Sequence, residues 1–501
     1  MSPEPLDTNT KPTTMSTQTK TKITTTTPAD IDIEEAISID SREEKKLVRR
    51  LDLFIIPLVM ALYTFSFLDR VNIGNAKLYG LESDLHLSAS QYQLSVSLLF
   101  IPYLLSELPS NLVLKRLRPS RWIAFIATSW GIIATLTGIV YSFGGLLTCR
   151  LLLGVVEGGL FPGMTIYLTF FYTSRELALR IGYLFVSSAL AGAFGGLLSY
   201  AIAHMDGLCG LRAWRWIMIL QGLPSILLGI TCLLYLPDSP TTAHFLTPRQ
   251  KTILTTRLAN QQHVTPTSTQ LHRRDVMKGL RDWKVWMFAL AQFGCDTMLY
   301  GYSTFLPTII KSLGTWSTTE SQALTIPCYA LGAITYMATA HLSDRSQRRC
   351  IYTVSFGCIS LLGYALLLTP TSSGVHYLGC FLIAMGLYTL VGLPLAWLPS
   401  NQPRYGKKTT ATALQLMGGN ASGILAGFLY PEAEGPRFIR GQAVSLGMVA
   451  WAVFVYAGMG GYFRWRNARR AGGKEDGKIE GLSPEERREL GDEDPGFVFM
   501  V

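Results

Sequence analysis

The chain reads as a series of long apolar stretches, each near the length a helix needs to cross a bilayer, separated by short polar connections. A helix rises about 1.5 Å per residue, so about 20 apolar residues cover a hydrocarbon core about 30 Å thick. Twelve such stretches begin near Leu51, Tyr92, Arg121, Gly144, Ile181, Trp214, Lys284, Ser321, Ile351, Val375, Thr409 and Gln442. The hydrocarbon holds no water to satisfy backbone N–H and C=O groups, so segments of this length must be helical. The expected fold class is all-α, a polytopic membrane protein with twelve transmembrane helices in two six-helix halves. Charge agrees, since only 16% of the 501 residues are Asp, Glu, Lys or Arg against about 25% in a soluble protein. A water-soluble enzyme is thereby disfavoured.

The longest internal connection, residues 237–282, is polar and basic and separates the two groups of six. That arrangement points to an internal duplication. The expected layout is a disordered N-terminal tail over 1–46, a six-helix half over 47–236, a central loop over 237–282, a second half over 283–464 and a C-terminal tail over 465–501. The short connections on the central-loop side hold twelve Lys and Arg residues, among them Lys115, Arg116, Arg175, Arg345 and Lys408. The opposite side holds five: Lys77, Arg212, Lys311, Arg437 and Arg440. Because cytoplasmic loops carry the positive excess, both termini are expected in the cytoplasm. Residues 1–41 are rich in Thr and Ser and do not resemble a cleavable signal peptide. The net charge of +10 is dispersed over the connections rather than gathered in one stripe, which argues against a nucleic-acid partner.

Glycines recur four apart within the spans, as at Gly154 and Gly158, Gly159 and Gly163, Gly192 and Gly196, and Gly419, Gly423 and Gly427. Small residues at this spacing let helix backbones approach closely, either to slide against each other or as static packing.

An ionisable side chain deep in a span is costly, so each one is a candidate for function. Span 1 carries Asp69 and Arg70, span 2 Glu107, span 4 Arg150 and Glu157, and span 7 Asp296. Counting along span 4 puts Arg150 about 9 Å and Glu157 about 20 Å below one surface. Their spacing of seven places them on one helix face. Arg70 lies at a compatible depth, so two guanidinium groups can converge on one cavity. A planar guanidinium fork suits a carboxylate, and a buried acid can exchange its proton near neutral pH. Together they are the parts of a proton-coupled carrier of a small organic anion. The structural alternative pairs Asp69 with Arg70 or Arg150, and Glu157 with Arg150. Tyr103 either faces the cavity or packs in the core, and Glu107, one turn on, reads at least equally as a structural hydrogen-bonding group. Asp296, with Tyr300 one turn on, is either protonated and hydrogen-bonded in the bundle or a second proton or substrate site.

Motifs of other chemistries are missing: HExxH, GxxxxGK[ST] and GxSxG do not occur, and the eight cysteines form no CxxC pair. Metal hydrolysis, ATP-driven pumping and esterase chemistry lose their support, and no metal, cofactor or enzyme activity is expected. The Asn420–Ala421–Ser422 match to a glycosylation site falls inside span 11 and is not expected to be modified.

HLSDRSQRR (341–349), after span 8, resembles the cytoplasmic gating motif of the major facilitator superfamily, whose plan is twelve spans in two halves. The corresponding SNLVLKRLRPSRW (110–122), after span 2, departs from it by lacking the acidic residue. LDRVNIGNA (68–76), ELPSNLVLKRLRPSRW (107–122), RLLLGVVEGGLFPG (150–163), FLPTII (305–310) and GPRF (435–438) resemble the anion:cation symporter family. LAGAFGGLLSYAIAHMDG (190–207) and LPDSPTTAHFLT (236–247) are similar to fungal permeases for allantoate, nicotinate, pantothenate and related anions.

The resemblance implies that Arg70 and Arg150 contact the substrate carboxylate, that Tyr103 and Asn420 line the cavity, and that Asp69 and Glu157 are proton sites. Asp296 joins them as a proton-coupling candidate, and Asp344, Arg345, Arg348 and Arg349 form the gate. Gln221 departs from the Glu found in related fungal sequences. The expected function is import of a small organic anion by proton symport through alternating access. The proton gradient supplies the energy, and the protein is expected to be a monomer among membrane lipid, in the plasma membrane. A proton-antiport exporter of an anionic metabolite and a non-transporting nutrient receptor are the alternatives.

Overall fold

The structure, a computed structural model, describes residues 41–263 and 273–501. Most of the expected N-terminal tail, and residues 264–272 of the central loop, lie outside the described residues. Span 1 is Ser41–Leu78. Span 2 comes in two pieces, Ala89–Ser97 and Phe100–Arg116, and is followed by span 3 (Pro119–Thr137). Span 4 is also in two pieces, Phe143–Glu157 and Leu160–Leu168, and spans 5 and 6 are Ser174–Ala203 and Ala213–Tyr235. The second group is span 7 (Trp283–Ser312), span 8 (Thr318–Ser346), span 9 (Arg349–Leu368), span 10 (Ser373–Ser400), span 11 (Tyr405–Ala426) and span 12 (Ile439–Ala471).

Local chemistry sets several starts. Ser88 with Gln91, Thr173 with Glu176 and Ser317 with Glu320 form capping boxes, satisfying backbone N–H groups that the first turn leaves unpaired. The helix of span 1 already runs at Ser41, and that of span 12 continues to Ala471, so both extend into segments expected as tails. Backbone hydrogen bonding does not stop at the hydrocarbon boundary.

Eight of these helices are long and apolar enough on their own to cross a membrane. Spans 2, 3, 7 and 11 are not among these eight. Span 7 buries Gln292, Asp296, Thr297 and Thr304, and span 11 buries Gln415 and Ser422. A helix walled from lipid by its neighbours needs no apolar perimeter.

Spans 5 and 8 pack together, as do spans 2 and 11, and these pairs join the halves. On the side opposite the chain's described ends, glycines bring them close. Gly423 abuts Phe100, Gly427 abuts Ser97, and a Cβ at Gly192 would lie 2.6 Å from the Tyr329 ring. Gln322 of span 8 donates to Asn75 of span 1 at 3.0 Å. This side of the bundle is shut.

The central loop divides between the halves. Helix Pro248–His263 docks on the first half through Arg257–Glu176 (2.5 Å), with Phe245 stacked on Phe54 just before it. Helix Arg273–Arg281 docks on the second through Asp275–Arg404 (2.8 Å). The C-terminal segment folds back on spans 7, 10, 11 and 12. Asp492, 2% exposed, accepts from Lys284 and Lys407 at 2.7 Å each. Asn467 and Asn401 bond the backbones of Phe499 and Met500.

Candidate functional site

Span 1 turns its two adjacent charges in different directions. Arg70 points inward, its Nε 2.8 Å from Glu157 Oε1 and its guanidinium 4.6 Å from the centre of the Tyr103 ring. Ser66, one turn before Arg70, donates to the same Glu157 oxygen. Asp69 faces span 3 and accepts from Trp130 Nε1 at 2.5 Å and from Asn72 at 3.4 Å. The alternative that pairs Asp69 with Arg70 or Arg150 is therefore not what the structure shows, because successive helix residues sit about 100° apart and an indole N–H meets the carboxylate. Nor does Glu157 pair with Arg150, although they share a helix face; it is held by Arg70 across the span 1–span 4 interface.

Span 4 breaks immediately after Glu157, at Gly158 and Gly159. Both glycines press on span 2, Gly158 against Tyr103 and Ser106 and Gly159 against Ser110. Any Cβ there would drive span 4 outward and pull Glu157 from Arg70.

Arg150 is 2% exposed, its Nε has no hydrogen-bond partner, and it makes no ion pair among the described residues. It lines a central cavity together with Arg70, Phe67, Phe100, Tyr300 and Thr304. The free space is about 10 Å³, room for about one water. Two cations thus meet in a collapsed, mostly apolar pocket, one paired and one not. A buried unpaired guanidinium is expensive and calls for an anion.

The second half supplies the opposite wall. Tyr300 Oη donates to Asn420 Oδ1 at 2.8 Å, and Asn420 Nδ2 donates to Glu107 Oε2 at 3.3 Å. Phe100 meets Tyr300 edge-on at 4.7 Å. Neither expected lining residue is among those that line the cavity: Tyr103 lies under the Arg70 guanidinium, and Asn420 bonds the lining Tyr300. Asp296 sits one turn from Tyr300 in a separate amide cluster: Gln292 donates to it at 2.9 Å and accepts from Gln415 and Tyr456. Gln221 is buried against Ser199, which its side chain bonds at 3.3 Å.

Of the gating residues, Asp344 and Arg349 pair at 3.2 Å, whereas Arg345 and Arg348 are exposed. Reasoning from spacing left Phe100, Ser66 and Trp130 without roles, placed Tyr300 only as a neighbour of Asp296, and read Glu107 at least equally as a structural hydrogen-bonding group. The signal for Tyr300 and Glu107 was their position one turn from Asp296 and Tyr103; the cross-half partner was not in the sequence.

A family model described as Major Facilitator Superfamily matches residues 59–427. An uncharacterized transporter of Schizosaccharomyces pombe is 41% identical, over 82% of this chain and 82% of its own. The high-affinity nicotinic acid transporter of Saccharomyces cerevisiae is 31% identical, over 82% of this chain and 76% of its own. Among solved structures, the xylose transporter XylE from E. coli, in a partially occluded inward-open conformation, aligns with a TM-score of 0.63 at 13% identity, covering 80% of this chain and 96% of that one. A central cavity holding two buried arginines, a bundle of twelve helices in two halves and these likenesses agree: the chain is a transporter, not an enzyme, and belongs to the major facilitator superfamily.

Proposed function

We propose that this transporter imports a small organic carboxylate together with protons. The observation that carries the reading is Arg150, a buried guanidinium without a partner beside Arg70 in a central cavity. The likeness to a nicotinic acid transporter supports the same ligand class.

In the cycle, the carboxylate binds in the cavity that Arg70 and Arg150 both line and accepts from their N–H groups. Phe67, Phe100 and Tyr300 supply apolar walls for its body. Glu157 competes with it for Arg70. A proton taken by Glu157 from outside removes the competitor and frees the guanidinium. After the halves, 47–236 and 283–464, rock about the cavity, proton loss to the cytoplasm lets Glu157 recapture Arg70, and the anion leaves. The outward-shut, Arg70–Glu157-paired arrangement corresponds to the state after release. Asp69 and Asp296 are further proton sites in this scheme, and Tyr103 and Asn420 hold the cavity's shape. Asp344 and Arg349 brace the cytoplasmic end of spans 8 and 9, with Arg345 and Arg348 beside them. The proton gradient is the energy source, the working unit is a monomer, the membrane is the plasma membrane, and both termini are cytoplasmic.

Uptake of labelled nicotinate and a panel of related carboxylates into cells expressing the chain tests the reading. Uptake should rise as external pH falls and collapse with a protonophore. Uptake indifferent to both overturns proton coupling, and export from preloaded vesicles in their place assigns the opposite direction.

A further inference from the structure

Outside the central cavity, a cleft of about 580 Å³ opens where span 7 begins and span 12 ends. Its walls are Trp283, Tyr462, Trp465, Arg469 and Lys474, and its floor is Arg466 with Glu475. The floor is neutralised. Arg466 is bound to Glu475 and to Glu493 at 2.9 Å each and donates to Tyr462 Oη at 2.9 Å. Glu475 is also held by Arg470 at 3.2 Å.

The rim is not neutralised. Arg469 reaches Glu475 only at 3.9 Å and otherwise lies over the Trp465 ring at 5.4 Å. Lys474 is exposed and makes no ion pair among the described residues. Trp283 and Trp465 are 50% and 52% exposed, and neither indole N–H is engaged within the protein. Lys474, the weakly held Arg469 and two exposed indole rings therefore rim a cleft whose floor charges already pair with one another.

Its position says which anion. Trp and Tyr gather where a helix passes from hydrocarbon to headgroups, and basic side chains there face the charged leaflet. Gly458, Tyr462, Trp465 and Arg469 follow one another at spacings of four, three and four, and Gly461 lies four before Trp465, so they share a face of span 12. A Cβ at Gly458 or Gly461 would meet nothing within 4 Å. That face is open at both glycines, and it runs on to Trp465 and Arg469. Leu290 of span 7, 51% exposed, continues the apolar surface on the other helix.

We propose that this cleft binds the phosphate of an anionic phospholipid of the leaflet at which the termini lie, with an acyl chain along Gly458 and Gly461. Arg469 and Lys474 hold the phosphate, and the indole N–H groups of Trp283 and Trp465 complete its shell. Because Lys474 and Glu475 belong to the C-terminal segment, an occupied cleft ties that segment to span 12. The proposal rests on the orientation given above only for the name of the leaflet; the chemistry is the same on either side.

Native mass spectrometry of the full chain, purified and exchanged into defined mixtures of phosphatidylglycerol and phosphatidylcholine, tests it. The wild-type protein should retain phosphatidylglycerol selectively. Each basic side chain near a membrane surface contributes about fivefold, so Arg469→Ala with Lys474→Ala should reduce retention roughly twenty-five-fold. Trp465→Phe keeps the ring and removes the donor, and should lower retention without altering thermal stability. Equal retention of both lipids, or retention unchanged in the double variant, overturns the proposal. Competition by millimolar inorganic phosphate in place of lipid would overturn it too, in favour of a soluble phosphate. Labelling of a cysteine placed at Lys474 from the cell exterior would move the site to the other leaflet, an outcome that refutes the orientation and leaves the lipid result standing.

Discussion

Replacing Glu157 by Gln tests the competition at the centre of the proposed cycle. The substitution keeps the volume and a carbonyl oxygen that still accepts from Ser66 and Arg70, so the break in span 4 and its packing on span 2 are undisturbed. What it removes is charge. Arg70 and Glu157 are 7% and 2% exposed by side chain and 2.8 Å apart. At an effective dielectric of about 20, the Coulomb attraction at that distance is about 6 kcal/mol, an upper bound since desolvation opposes it. A charge-assisted hydrogen bond contributes about 1.5–3 kcal/mol net. An anion binding Arg70 at neutral pH must displace that interaction in the wild type and need not in the variant. Each 1.4 kcal/mol is about tenfold, so Glu157→Gln should bind its carboxylate roughly ten- to one-hundred-fold tighter at pH 7.5. In the proposed cycle a proton on wild-type Glu157 removes the same charge, so the two proteins should converge as the pH is lowered. Equilibrium binding of the best ligand from the carboxylate panel, measured on purified protein from pH 5.5 to 8, reads this directly. In vesicles the variant should exchange substrate but lose uphill accumulation. Weaker binding at every pH, or a pH dependence identical to that of the wild type, would refute the competition.

Further outcomes follow from the same geometry. Arg150→Gln should abolish ligand binding yet raise the melting temperature of the ligand-free protein, because a buried cation with no partner is replaced by a neutral amide; a lowered melting temperature would mean that Arg150 has a structural partner. Gly427→Val places a branched side chain against Gln93 and Ser97 on the shut side, so it should populate the opposite, open state, read as increased labelling of a cysteine introduced at Asn75. Glu493 in the C-terminal segment is pushed up by burial, but the hydrogen bond from Arg466 and the nearby Lys284 ammonium outweigh this and hold its carboxyl at about 2. A depressed carboxyl supports docking above its unfolded value of about 4.3 and loses that support as pH falls toward the folded value. Proteolysis of the C-terminal segment should therefore be constant from pH 8 to 5 and accelerate below about pH 4.5; acceleration already at pH 6 would point to another group.

Twelve apolar stretches of bilayer length, six on either side of a basic loop, determined an all-helical membrane bundle from the sequence alone. Bilayer thickness and backbone hydrogen bonding leave a chain of this pattern no other form. The same rarity of charge in the spans singled out Asp69, Arg70, Glu107, Arg150, Glu157 and Asp296, because every charge in hydrocarbon stands out. Pairing among them was decided elsewhere. Spacing puts Arg150 and Glu157 on one face and makes Asp69 a neighbour of Arg70, yet Glu157 belongs to Arg70, Asp69 to Trp130, and Arg150 pairs with no acid among the described residues. Glu107 and Asn420 meet across 313 positions of sequence, with Tyr300 bonded to the same Asn420. Periodicity describes which face of one helix a residue occupies. Which helix lies opposite, and how closely glycines let it approach, depends on the simultaneous packing of all twelve spans, and only the tertiary structure contains that.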